Sequence, residues 1–150
     1  MKAFYNKKPL LFLLFLAMIV SLALCCSACG AKARENGGGE IRFTDALGRE
    51  VAVSQNTERV ASLLGSFSDV WLSAGGSLCA SAEDAWEDFK LELGEAVNLG
   101  GAHSPNLELL LSADPDFVLA SASTASNVKM KDALESAGIT VAYFDVDNFE

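Results

Sequence analysis

The side chains that could do chemistry are few, and their spacing limits what that chemistry is. His103 is the sole histidine, and Ser66, Ser68, Ser104 and Ser121 all lack a surrounding Gly-x-Ser-x-Gly elbow, so a nucleophilic triad has no support. Gly75-Gly76 and Gly100-Gly101 are isolated pairs. Neither forms a dinucleotide fingerprint, nor a phosphate loop ending in Lys-Ser/Thr. Asp114 and Asp116 flank Pro115, but Ala-Asp-Pro-Asp ahead of an apolar run is a solvated turn before it is a cation site. What remains is recognition. Ser66-Phe67-Ser68, Glu83-Asp84-Ala85-Trp86, Gly101-Ala102-His103-Ser104, Ser121-Ala122-Ser123 and Asp145-Val146-Asp147 each follow a short apolar run. Hydroxyls and large aromatics in such places suit a ligand site; the alternatives are that polar loops are hydroxyl-rich in any fold and that Phe67 and Trp86 pack in the core. Ser66, Phe67, Ser68, Trp86, Ser121 and Ser123 are the expected ligand contacts, in a protein that is not an enzyme and needs no resident cofactor or metal.

These segments share one edge only if the apolar runs are parallel strands. Ile41-Arg42-Phe43 and Val51-Ala52-Val53 alternate around Asp45-Ala46-Leu47-Gly48, as a β-hairpin does. Apolar runs then recur at 60–64, 78–80, 96–99, 117–120 and 139–144. Between them, segments of helical spacing or composition occupy 69–74, 84–89, 107–111 and 128–137. Continuous apolar strands imply burial on both sheet faces, hence an α/β three-layer lobe with a mostly parallel sheet preceded by a hairpin. In such a sheet all strand ends of one kind lie on one rim, where ligands bind. Ser66 or Ser68 is a candidate cap for the first helix, Ser104 or Asn106 for the third, and Gly138 a stop for the last.

The N-terminal residues decide the compartment. Lys7, Lys8 and Pro9 precede an apolar stretch from Leu10 to Leu24, shorter than the roughly 20 residues a membrane span needs, and small residues follow. Residues 1–28 are therefore expected to be an export signal. Cys26-Ser27-Ala28-Cys29 resembles a bacterial lipoprotein box, which implies Cys29 as the lipid attachment site. Zinc is the rival use of clustered cysteines, but no second pair or histidine partner accompanies them. With Cys29 lipidated, Cys79 is the one thiol of the mature part, so no intramolecular disulfide is available. Residues 29–40, with Gly37-Gly38-Gly39, suit a flexible tether. Because residues 1–28 hold three lysines and no acid, the remainder is more acidic than the whole chain's net charge of −9, which excludes a nucleic-acid binder. Its size suits one domain of roughly 100 to 150 residues.

Four further fragments sharpen the reading. Phe43-Thr44-Asp45-Ala46-Leu47-Gly48-Arg49-Glu50-Val51, Glu58-Arg59-Val60-Ala61-Ser62, Pro105-Asn106-Leu107-Glu108 and Asp114-Pro115-Asp116-Phe117-Val118 occur in this order over residues 40–150. Together they resemble the solute-binding proteins of ABC importers for iron-siderophore, haem and cobalamin. The resemblance implies two Rossmann-like lobes joined by one long helix, with the ligand between the lobe rims. Residues 41–147 would be the first lobe and residues 148–150 the start of the helix. It also implies a lipid-anchored protein on the outer face of the bacterial cytoplasmic membrane that captures a metal chelate, such as a ferric siderophore, and delivers it to an ABC permease. Glu108 would pair with permease arginines; on a helix it sits about 100° from Leu107, off the stripe formed by Leu107, Leu110 and Leu111. Haem, cobalamin or a metal ion are the alternative cargoes, and a bare ion is disfavoured because one histidine and scattered carboxylates make no recognisable ligand set. Outside this class stand a structural surface lipoprotein and, below it, an α/β enzyme whose nucleophile elbow or phosphate loop lies further along.

Overall fold

In the computed structural model, residues 39–145 are described. The expected export signal, Cys29, nearly all of the tether and the expected start of the inter-lobe helix lie outside them.

A two-stranded antiparallel hairpin comes first, β1 (Glu40–Thr44) against β2 (Glu50–Ser54), with Phe43 opposite Val51 and Ile41 opposite Val53. Five parallel strands follow: β3 (Val60–Ser62), β4 (Ala80–Ser81), β5 (Val97–Asn98), β6 (Phe117–Ser121) and β7 (Thr140–Phe144). Their order across the sheet is β5-β4-β3-β6-β7. Helices connect them: α1 (Gly65–Ser73), the single turn α2 (Asp84–Glu87), α3 (Leu107–Ser112), α4 (Ala125–Lys129) and α5 (Lys131–Ser136). This is the expected α/β lobe with its leading hairpin.

Side-chain alternation gives the sheet two apolar faces. Ala61, Val118, Ala120, Val141 and Tyr143 point to one, where Leu110 of α3 and Leu134 of α5 complete a closed core with Val128 of α4 packed against it. Val60, Phe117, Leu119 and Ala142 point to the other, covered by Phe67 and Trp71 of α1 and by Phe43, Val51 and Val53 of the hairpin.

Two helix starts and one apolar stripe differ from expectation. Helix α1 begins at Gly65, so Ser66 and Ser68 lie inside it; Leu64 holds the cap position without a side-chain bond, and Asp84 receives the Gly65 amide instead at 2.8 Å. The last helical segment starts at Ala125, three residues early, and is broken at Met130. Leu111 is 37% exposed, so the buried stripe of α3 is Leu107 and Leu110. The other caps fall as expected: Asn106 Oδ1 accepts the amides of Glu108 and Leu109, and Gly138 ends α5 at φ +77°, a conformation that favours glycine.

The hairpin is fastened by its turn. The Asp45 side chain is fully buried and accepts Leu47 N–H and Arg49 N–H, each at 3.0 Å, Tyr143 N–H at 3.3 Å and the Arg49 guanidinium at 2.6 Å. Arg49 also reaches Glu135 of α5 and the Val141 carbonyl, and lies 5.0 Å from the Tyr143 ring centre. Burial pushes the Asp45 carboxyl up, but the guanidinium and the Arg49 and Tyr143 amides outweigh it and hold the group below its ordinary range. The Asp-x-x-x-Arg part of the first resemblance fragment is thus a latch between hairpin, β7 and α5.

Candidate functional site

Parallel strands place the loops after β3, β4, β5 and β6 on a single rim. The chain order reverses at β3, whose neighbours are β4 on one side and β6 on the other. A crevice at such a switch point is where open α/β sheets bind ligands. Flanking it are Ser66, at the start of α1, Ser121, the last residue of β6, and the loop from Ala122 to Thr124.

Hydrogen bonds stitch the rim together. Glu83 N–H donates to the Gly100 carbonyl at 2.9 Å, tying the Trp86 turn to the loop after β5. Asn127 is fully buried; its Oδ1 accepts Ser121 N–H at 3.0 Å, and its Nδ2 reaches the Ala102 carbonyl at 3.4 Å. Tyr143 O–H donates to the Asn127 carbonyl at 3.1 Å, anchoring this joint from below. His103 is exposed on a turn closed by Ser104 N–H to the Gly101 carbonyl at 2.8 Å. Sequence reading missed Asn127 and Asp84, because both act on residues far away in the chain.

The expected contact residues separate into three groups. Ser66 is part-exposed, Ser123 exposed and Trp86 half-buried, all at the rim. Ser68 and Ser121 are buried: Ser68 Oγ lies 2.7 Å from Ser81 Oγ and donates to the Leu64 carbonyl, while Ser121 Oγ lies 3.3 Å from Ser123 Oγ. They present almost no surface to a ligand in this structure and hold the loops in shape. Phe67 turns away from the rim, packing edge-on against Phe144 with ring centres 6.0 Å apart, and lines a groove on the sheet face covered by α1.

Glu108 lies exposed in the first turn of α3, between the exposed Leu109 and Leu111. The Asp114-Pro115-Asp116 turn is structural: Asp116 accepts the Glu58 and Arg59 amides at 3.2 and 3.1 Å, and Arg59 donates to the carbonyls of Ala113 and Asp114. Among the described residues no group of three or more His, Cys, Asp and Glu side chains could hold a metal ion.

Solved structures share this arrangement. The siderophore-binding protein BauB, bound to two acinetobactin molecules and ferric iron, superposes with a TM-score of 0.59 at 20% identity over 72% of this chain and 38% of its own. The haem-binding protein HmuT gives 0.59 at 20% over 78% and 38%. The molybdate periplasmic binding protein MolA of Haemophilus influenzae gives 0.59 at 23% over 73% and 36%. The chain has the fold of one lobe of these binding proteins. It spans well under half the length of each. No family model and no curated relative matches it by sequence.

Proposed function

We propose that this lobe belongs to the substrate-binding component of an ABC importer, and that it captures a chelated metal such as a ferric siderophore for delivery to a membrane permease. The observation that carries the reading is the one-lobe match to binding proteins, with Ser66, Trp86 and Ser123 at the rim of the matched sheet. Trp86, Ser66 and Ser123 offer an aromatic surface and hydroxyls, the chemistry that grips a bulky, partly apolar chelate. Molybdate, the ligand of MolA, suits this rim less well. An oxyanion seeks the amides of a helix N-terminus, and at α1 the acidic Asp84 already occupies that place.

Glu108 is the proposed docking point. Its carboxylate makes no ion pair among the described residues, and the leucines beside it add apolar surface that a partner would cover. Arginines on a permease would meet it with bidentate hydrogen bonds that orient the complex. Cys29 is the proposed lipid site, with residues 29–39 as tether between membrane and lobe, since Glu40 already belongs to β1. The full protein would then work at the outer face of the cytoplasmic membrane, with residues 148–150 opening the helix to a second lobe.

Titration of a two-lobed version with a ferric siderophore, haemin and molybdate tests the ligand class. A ferric chelate should quench Trp86 emission and bind more weakly in Trp86→Ala. Binding of none of the three would remove the reading. Glu108→Arg should impair uptake while leaving ligand affinity intact, and lost affinity would instead move Glu108 into the cleft.

A further inference from the structure

The rim carries an aromatic that the spacing of the sequence does not reveal. Phe89 is 41% exposed, and it is the one aromatic among the large apolar side chains that stand exposed in the described residues. A single exposed ring is ordinary on a protein surface. This one is held in place from three directions. Its amide donates to the Asp84 carbonyl at 3.1 Å, and Leu91 N–H closes the following turn on the Ala85 carbonyl at 2.9 Å. Lys90, between them, takes φ +54°, a left-handed conformation that residues other than glycine seldom adopt. The third hold is Gly65. A Cβ there would lie 2.7 Å from Phe89 Cδ2, 2.8 Å from the Ala85 nitrogen and 2.9 Å from the Asp84 carbonyl carbon, so only a bare Cα lets ring and turn close onto the start of α1.

Gly65 also fixes where the ring is. It opens α1 three residues after the end of β3, the strand at which the sheet order reverses. Phe89 therefore lies by the crevice, next to the helix start that carries Ser66, and it leaves the same short turn of chain as the half-buried Trp86. Two rings on one side of a crevice suit a flat, conjugated ligand surface, which gains stacking or edge-to-face contacts beyond the area it buries; an aliphatic group gains the area alone. Phe67, by contrast, spends its ring on Phe144, away from the rim.

We infer that Phe89 is a ligand contact of the rim and that, with Trp86, it takes a planar conjugated part of the ligand, such as the aryl rings of a chelator or a macrocycle. This rests on the ligand-capture reading and narrows it from chelated metals in general to those whose chelator is aromatic. Gly65 is a positioning residue, since its part is to leave room for the ring.

The experiment titrates the two-lobed version with haemin, a ferric tris-catecholate and a ferric trihydroxamate, the last without an aromatic ring, and repeats the titrations in Phe89→Leu, Phe89→Trp and Phe67→Leu. An aromatic probe that binds the parent should bind Phe89→Leu about tenfold more weakly, Phe89→Trp nearly as well as the parent, and Phe67→Leu without change. Unchanged affinity in Phe89→Leu would overturn the inference and leave ligand capture standing. So would a parent that binds only the trihydroxamate. A loss of affinity in Phe89→Leu matched by a fall in Tm would make Phe89 a packing residue and overturn it as well. Binding of no probe by the parent would remove the capture reading and the inference with it, a failure visible before any variant is made.

Discussion

The two faces of the parallel sheet are built from the same strands and end in different states. On the side of α3, α4 and α5, Ala61, Leu110, Val118, Ala120, Leu134 and Tyr143 are wholly buried. On the side of α1 and the hairpin the strand residues Val60, Phe117 and Leu119 are buried too, but the aromatics above them remain half open to solvent. The strands do not explain the difference, since alternation supplies each face with an apolar row. The covering elements do. Three helices close one face with small and branched side chains that interdigitate, whereas one helix and a two-stranded hairpin span the other with large rings and leave a groove. The closed face is a finished core; the open one keeps a groove lined by part-buried aromatics.

The largest effect should separate the faces directly. Leu134 has no exposed surface and sits in a core that cannot collapse freely, so Leu134→Ala should cost about 2 to 5 kcal/mol. Phe67 loses more atoms on truncation, yet its surroundings are already part-open, so Phe67→Ala should cost about 1 to 2 kcal/mol, below the usual range for a buried phenylalanine. Urea denaturation of both variants measures the contrast. Equal losses would mean that the two faces are packed alike and the comparison fails.

Next in size is the latch, which grips both faces. The hairpin strands cover the open face, while Asp45 and Arg49 in its turn hold β7 and Glu135 of α5. Arg49→Ala leaves a buried carboxylate with amide partners but no counter-charge, and should cost about 1 to 3 kcal/mol. Loosening should appear in hydrogen exchange of β1 and β2 before the central strands; uniform exchange would show that the hairpin is held by its apolar side chains alone.

The same latch sets an acid dependence. The Asp45 carboxyl is held below its ordinary value of 3.8, so the folded state binds its proton less readily than the unfolded chain does. Its contribution is complete above that ordinary value and is lost as pH falls through the lower folded value. Asp45→Asn should therefore flatten the fall in stability below about pH 4 while lowering stability at neutrality. A parallel acid profile in parent and variant would assign the acid sensitivity to other carboxylates.

The comparison also shows what was legible in the residues themselves. Hairpin, strands and the α/β class follow from local apolar runs, and the sheet positions follow once the strands are parallel. The misplaced parts depend on contacts across the chain. Gly65 looks like loop because its capping carboxylate, Asp84, comes 19 residues later. That early start rotates Phe67 off the rim and onto the open face, and it takes Ser68 into the core. Asn127 looks like an ordinary polar helix residue, and only the fold shows it joining Ser121, Ala102 and Tyr143. Glu108 was legible because its exposure is local: helix phase and a neighbouring cap suffice.

The smallest predicted effect tests the closed face without removing any of its packing. Helix α3 is six residues long, too short to be stable alone, and it contributes Leu110 to the closed core. Asn106 fixes its start by accepting two amides, those of Glu108 and Leu109, which would otherwise lack an intrahelical partner. Asn106→Ala should cost about 1 kcal/mol, and Asn106→Asp should restore most of it because the carboxylate accepts the same two bonds. The loss should fall on the closed face, so the acrylamide accessibility of Trp71 across the sheet should not change. A variant in which Trp71 also became more accessible would show that the two faces unfold as one unit, and that the groove is coupled to the core behind it.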